Sequence, residues 1–494
     1  MDFGINKKMS KIGRVVSTEN GPTFSSVPIR VDSGKIVKPG QLLYSSLLNK
    51  FTSRESVYVL RVSSAKEENP YEDPQSSNVK QIFNIETEGS DNEQVRKFVI
   101  ADTSPLEIVS FDNGKAITSS PDLILPAGTE VYDNIDDNLA RAVLGFPSEN
   151  DPKSIYLGTL VGATKLPVAL DANVVLPRHI LIVGSTGTGK SYLLGKIVEE
   201  IHNKGLCMVN IDIHGEMNKA TLELGGRVVI PGADLKIKLS SLEEPEIMGM
   251  LSLGHDLHID IVSKSIINLK SSGKDFSASE LEKEAEKVAY SFGAKKPTVD
   301  IISARIQQLS NIPFLGEGFD WKTGLLKNGA IINVDCRSLP YTYLQLVVAA
   351  IARDIYNNRK NGAIKPIVMG IDEAHLFIPS AEKANTTTIL SQLIRMGRHV
   401  SMGLVLVSQS PGDLDKRVAK ITNTRFVFAI EPSELNSIYG FLADAPKELV
   451  DSIPRMRTGT CLLVGNRETV RHATVFEVGT RKTTHGGDTP RMID

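Results

Sequence analysis

The chain has 494 residues, of which 41% are hydrophobic and 23% charged, with 56 Lys and Arg against 58 Asp and Glu for a formal net charge of −2. That length exceeds one ordinary domain and predicts roughly two to four of them. The charge balance excludes a globally basic nucleic-acid binder, so any contact with DNA is confined to a local surface such as the channel of a ring. No apolar run approaches the ~20 residues that span a bilayer, which leaves only a peripheral membrane role. The opening stretch MDFGINKKMSKIGRVV has no apolar segment ahead of a small-residue cleavage site, which predicts an intracellular, cytoplasmic protein. Cys207, Cys336 and Cys461 are an odd, scattered set without zinc-ligand spacing; they read as buried thiols and imply no structural metal.

From Ile12 to about Gly162 short β-type runs (RVVS, SVYVLRV, KFVIA, LEIVSF, GTEVYD) alternate with turns rich in Gly, Pro, Asn and Asp, a spacing that predicts a small β-barrel over residues 1–162. Two acidic stretches, KEENPYEDPQSSN and ETEGSDNEQ, read as solvated loops within it. Next comes HILIVGSTGTGKSY: an apolar strand from Ile180 to Val183, a glycine-rich turn, and then SYLLGKIVEEIHNKG, apolar at helical spacing and stopped by Gly205. The spacing Gly184-x-x-x-x-Gly189-Lys190-Ser191 is that of a P-loop. Gly184, Ser185, Thr186, Gly187, Thr188, Gly189, Lys190, Ser191 and Tyr192 are therefore the expected cradle of a nucleotide. Backbone N–H groups at a helix N-terminus wrap the phosphates, Lys190 neutralises them, and the Ser191 hydroxyl meets Mg²⁺.

Beyond the loop, strands alternate with helices: LCMVNIDIHGE, RVVIPG, GAIINVDC, PIVMGIDEAH, MGLVLVSQS and TRFVFAI predict a parallel α/β sheet. The expected core runs over 163–232 and 328–470, interrupted by a helical bundle over 233–327. In that insertion Ser277 and Glu280 form a capping box, and Val299, Ile302, Ile306 and Leu309 fall on one helix face. Residues 471–494 are the expected C-terminal tail, whose stretch GTRKTTHGGDTPRMID is polar and basic without a core pattern and reads as frayed or laid on a neighbour.

A P-loop needs a carboxylate for Mg²⁺ and a group that orients water. Asp212 ends the strand after the P-loop helix, where a small-molecule kinase keeps its metal carboxylate. IVMGIDEAH instead ends in adjacent acids, with Asp372 suited to bind Mg²⁺ through a water and Glu373 to polarise the attacking water. That pair favours hydrolysis over transfer to a small acceptor. Gln409 ends the following strand and is of a type that senses a γ-phosphate. Arg395 and Arg398, one helical turn apart, suit either an arginine finger or a helix end whose cations oppose the dipole.

LPRHILIVGSTGTGKS, NIDIHGE, GIDEAH, RMGRHVSMGLVLVSQSP and NTRF, in this order, resemble the HerA branch of the HerA/FtsK superfamily of hexameric DNA translocases. The resemblance covers nearly the whole chain and is strongest from Pro177 to Phe426. It implies a RecA-like core behind a small barrel shared with rotary ATP synthase subunits, a homohexamer, and ATP- and Mg²⁺-driven movement on double-stranded DNA without sequence preference. It also implies partnership with the NurA nuclease in archaeal end resection. By position it gives Lys190, Asp372 and Glu373 the Walker roles, Arg398 the trans-acting finger, and Arg178 that of a second arginine near the nucleotide. Asp212 becomes an additional active-site carboxylate. Lys219 and Lys383 are candidate DNA contacts. The competing readings are a secretion or conjugation ATPase of similar core, and a P-loop kinase that uses Asp212.

Overall fold

The computed structural model describes residues 10–18, 21–48, 55–68, 98–112, 115–162, 165–381, 384–442 and 445–486. Lys383, most of the first acidic stretch and all of the second lie outside them. The chain forms two compact units, one of residues 1–171, 442–456 and 460–478, the other of 172–441, 457–459 and 479–494.

The first unit opens with β1 (Lys11–Val15), β2 (Val27–Val31), β3 (Leu42–Leu48), β4 (Glu55–Glu68), β5 (Phe98–Asp112), β6 (Lys115–Ser119) and β7 (Glu130–Tyr132). They pair antiparallel in the order β2-β1-β7-β3-β4-β5-β6, and β5 also pairs with β2. Six strands thus close into a barrel, with β6 continuing outside it from β5. Alternate residues supply the interior: Tyr58, Leu60 and Val62 of β4 meet Ile12, Ile29, Leu43 and Val131 in one core. Closure leaves no open barrel edge to pair with another chain. Beyond the barrel the helix Asp137–Leu144 is capped by Asp136 and stopped by Gly145 at φ 77.

A second, four-stranded antiparallel array completes this unit: β8 (Ser154–Leu160) and β9 (Pro167–Asp171) join two late strands, Thr460–Gly465 and Thr474–Val478. Residues 471–478, expected as tail, therefore include a strand, in which Thr474 and Phe476 are buried. Its alternation is only five residues long, and of its two partners one is the neighbouring Thr460–Gly465 and the other, β8, lies more than 300 residues earlier in the chain.

The second unit is built on β10 (Ile180–Val183), β11 (Cys207–Asp212), β12 (Arg227–Val229), β13 (Ile331–Asp335), β14 (Ile367–Ile371), β15 (Met402–Ser408) and β16 (Thr424–Val427). These seven strands lie in the order β12-β13-β11-β14-β15-β10-β16, and every registered pair is parallel. β10, β11, β13, β14 and β15 are buried at every residue, as strands covered on both faces must be. Between β12 and β13 come the helices Glu244–Leu251, Asp256–Ser271, Ala278–Ser291 and Lys296–Gln307. The Ser277–Glu280 capping box forms, and Val299, Ile302, Ile306 and Leu309 are all buried. Among the described residues no helix is long and apolar enough to cross a membrane.

In β1, Gly13 follows a register shift and lies so close to β2 that a Cβ would overlap the Arg30 carbonyl oxygen. Gly13→Ala is expected to destabilise the barrel by about 1–3 kcal/mol, as overpacking does. Calorimetry checks this, and an unshifted melting transition would show that the β1–β2 pair has slack.

Candidate nucleotide-binding site

Four neighbouring strands, β11, β14, β15 and β10, end along one edge of the parallel sheet. Their last residues or following turns carry Asp212, Asp372 with Glu373, Gln409, and the glycine-rich loop, all in one row. The loop follows β10 and leads into the helix Lys190–Asn203, whose N-cap is Gly189 at φ 117 and which no side chain caps. Its first N–H groups are thus left for a ligand. A Cβ on Gly184 would lie 2.6 Å from Phe428 Cβ, so only glycine lets the loop turn there. Thr188 Oγ1 donates to the Ser185 carbonyl at 2.7 Å and Lys190 Nζ donates to the same oxygen at 2.9 Å.

A cavity of about 630 Å³ lies against this edge, lined by Thr186, Gly187, Gly189, Lys190, Ser191 and Tyr192 of the loop and by Asp372, Glu373 and Gln409. That size suits a nucleotide. Gln409 Oε1 accepts from Thr186 Oγ1 at 2.6 Å, so the end of β15 is tied to the loop. Burial, then the neighbouring Glu373 and Asp212 carboxylates, push Asp372 up to about 7. Burial lowers Lys190, while Glu373, Asp372 and Glu216 draw it back. Carboxylates crowded in this way fit a divalent cation beside them. Among the described residues no three His, Cys, Asp or Glu side chains are grouped to hold a metal by themselves. Ser191 and Asp372 both line the cavity, and one or two protein ligands of this kind with phosphate oxygens would suffice for Mg²⁺.

Asp212, expected as a further active-site carboxylate, organises a turn. One of its oxygens accepts N–H bonds from His214 (3.2 Å), Gly215 (2.7 Å) and Glu216 (3.3 Å), and the other accepts from Met217 N (2.9 Å) and Asn333 Nδ2 (2.9 Å). With both oxygens engaged, its work is to present His214 and Glu216, which line the cavity. Those two residues stand inside NIDIHGE, yet nothing in their spacing distinguishes them. Lys219, on the next helix, is exposed and outside the cavity lining.

The expected tail also reaches the site. The Arg481 N–H donates to Tyr192 Oη at 2.9 Å, and its guanidinium lies 5.5 Å from the centre of the Tyr192 ring. Glu199, in the middle of the P-loop helix, accepts from Lys482 N (2.8 Å), Thr483 N (2.7 Å) and Thr483 Oγ1 (2.6 Å). A Cβ at Gly195 would collide with the Arg481 guanidinium, so that glycine is the slot for the arginine. His485 is thereby brought into the cavity lining. The segment 479–486 is laid on the P-loop helix with Arg481 buried, because a buried Glu199 gives its backbone a partner that sequence proximity does not reveal.

The two arginines assigned to the nucleotide are elsewhere. Arg178 precedes β10 and Arg398 precedes β15, so in a parallel sheet both lie on the edge opposite the P-loop. The four residues of β10 separate the edges by about 13 Å. Arg178 Nη1 donates to the Val174 carbonyl at 3.1 Å, and Arg398 is exposed. Their turns, Leu176–Arg178 and Gly397–Val400, pack together through His179, which is buried at φ 64. His179 Nε2 is 2.9 Å from the Ile394 carbonyl, and Nδ1 accepts from Leu404 N at 3.0 Å, which fixes Nε2 as the protonated nitrogen. Two glycines admit this packing: a Cβ on Gly403 would overlap the Leu176 carbonyl, and one on Gly397 would lie 2.6 Å from Met402 O. Arg395 is exposed near the same turn.

The family described as Helicase HerA, central domain, matches residues 155–355, and an AAA-like domain family matches residues 337–478. A protein named DNA double-strand break repair helicase HerA from Sulfolobus acidocaldarius is 25% identical over 406 residues, covering 76% of this chain and 78% of its own length. A protein of the same name from Pyrococcus furiosus is 23% identical over 396 residues, covering 68% and 71%. Among solved structures, VirB4 of Thermoanaerobacter pseudethanolicus superposes with a TM-score of 0.52 over 68% of this chain and 99% of that one, at 14% identity, a likeness of fold.

Burial pushes His179 from 6.5 down to about 4. A histidine depressed in the fold stabilises at pH above its unfolded value, and that contribution is lost as pH falls through 6.5 towards 4. At pH 5 the loss is about 2 kcal/mol. The melting temperature should therefore drop between pH 7 and pH 5, and His179→Gln, which keeps a donor and an acceptor, should flatten that drop. An unchanged pH profile in the variant would remove His179 from the acid response.

Proposed function

The chain belongs to the HerA helicase family, and from that premise we propose that it is an ATP-driven translocase on double-stranded DNA. It works as a homohexamer, with a nuclease of the NurA kind, in DNA end resection and double-strand break repair. The observation that carries this reading is the division of the site across the sheet. One edge holds the loop, Asp372, Glu373 and Gln409 around a single cavity, while Arg178 and Arg398 share the opposite edge. Within one chain those arginines are too far from the cavity to meet a bound phosphate. A ring in which each subunit's arginine edge faces the next subunit's cavity completes every site at an interface.

In this scheme Lys190 and the loop N–H groups hold the β- and γ-phosphates. Mg²⁺, bound through Ser191 and Asp372 with phosphate oxygens, neutralises developing charge. Glu373 polarises the attacking water, and Gln409, already bonded to Thr186, feels whether the γ-phosphate is present. Arg398, with Arg178 beside it, stabilises the transferred charge from the neighbouring subunit. DNA is gripped by its phosphates inside the channel, which fits a chain of net charge −2.

Arg398→Ala is expected to form rings and bind ATP but hydrolyse it at least ~10²-fold more slowly, and Arg178→Ala to behave likewise. Glu373→Gln should bind ATP and trap it. Rings mixed from Arg398→Ala and Glu373→Gln subunits should recover hydrolysis, because some junctions pair an intact cavity with an intact arginine. Mixed rings that stay inactive despite proven subunit exchange would reject the division of the site. ATPase activity that fails to rise with linear duplex DNA would reject the substrate.

A further inference from the structure

Glu373 is held in an unusual way. Its backbone adopts φ 48 and ψ 48, a left-handed conformation that a side chain disfavours by about 1–2 kcal/mol, so the surrounding structure must impose it. The turn Ala374–Leu376 that follows brings His375 back beside it, with His375 Nδ1 3.3 Å from Glu373 Oε2. That oxygen is buried and takes no hydrogen bond of regular geometry, and the imidazole stands within ion-pair distance of it. The other oxygen, Oε1, lies 3.6 Å from Nε2 of the half-exposed His214, on the side that lines the cavity.

The same His375 Nδ1 lies 3.2 Å from Ser408 Oγ, at the buried end of β15. Ser408 Oγ donates its only proton to the Ser410 carbonyl at 3.2 Å and accepts the Ser410 N–H at 3.3 Å. The hydroxyl therefore has only acceptor capacity left, and the contact closes when Nδ1 carries the proton. One ring nitrogen thus lies between the Ser408 hydroxyl, at 3.2 Å, and the Glu373 carboxylate, at 3.3 Å. The residue after Ser408 is Gln409, bonded to the P-loop through Thr186.

We propose that His375 is a positioning residue for ATP hydrolysis: its Nδ1–H holds Glu373 Oε2 and fastens that side chain to the turn bearing Gln409. Oε1 then faces the cavity as the oxygen that takes the proton from water. The proposal rests on the reading of Glu373 as the water-polarising group. It gives the γ-phosphate sensor and the hydrolytic carboxylate a common anchor, so movement of the Gln409 turn reorients Glu373.

The test compares His375→Asn, His375→Gln and His375→Ala in the full-length protein. Asn can set an amide N–H where Nδ1 stood, whereas Gln carries the same group one carbon further out. His375→Ala and His375→Gln should lose at least about tenfold in kcat while KM for ATP stays within about twofold, and His375→Asn should stay within about threefold of wild type. Equal impairment of Asn and Gln, or none in either, overturns the proposal, and this contrast decides even if the Ala variant does not fold. Binding of a fluorescent ATP analogue verifies that each variant has an intact cavity. A wild-type protein that hydrolyses no ATP would reject the proposed function itself, whereas an active wild type with three indifferent variants rejects only the role of His375.

Discussion

Parallel strands give a sheet two chemically different edges, and in this molecule nearly everything concerned with the nucleotide follows from that. Every strand of the second unit releases its chain at the same edge, so β10, β15, β14 and β11 deliver a phosphate loop, a glutamine, an acidic pair and an aspartate turn as neighbours although they are far apart in sequence. The opposite edge receives whatever precedes the strands, here Arg178 and Arg398. In the ring proposed above, strand direction is what would make each site depend on a neighbouring subunit.

Each edge is stiffened by buried polar groups. At the phosphate edge Asn210 donates to Asn333 at 2.8 Å, Asn333 reaches both Asp212 and Asn218, and Asn218 donates to Asp335 at 2.7 Å, which Arg337 also pairs. Such a network is stable only if nearly all its members are satisfied, and this one fixes the turn that carries His214 and Glu216. At the arginine edge His179 does the same with one ring. Asp372 stands out by contrast: its carboxylate is crowded by two others. That excess of negative charge would be relieved by a cation accompanying a bound nucleotide.

The features legible in the sequence are those written over short distances. The P-loop spacing, the Asp372–Glu373 pair, the capping box at Ser277 and the apolar face of Val299 to Leu309 each lie within a few residues, and the structure contains each of these local arrangements. The three cysteines, read as buried thiols, are buried and unpaired. The surroundings that the sequence does not show depend on partners distant in the chain. Asp212 ends a strand, as a metal ligand does, but Asn333 and the turn N–H groups absorb it. Arg178 precedes the P-loop strand, so sequence proximity suggests proximity to phosphate, whereas the strand carries it to the far edge. His375 and Ser408 meet only because β14 and β15 are adjacent.

The segment that closes the second unit gives the P-loop helix a second hold on the chain. Lys190 begins that helix, Gly195 receives Arg481, and Glu199 binds the backbone at Lys482 and Thr483. The described segment 479–486 thus fastens at two points along its length the same helix whose first turn carries Lys190, so the end of that helix at the loop and its contacts with this segment belong to one rigid rod.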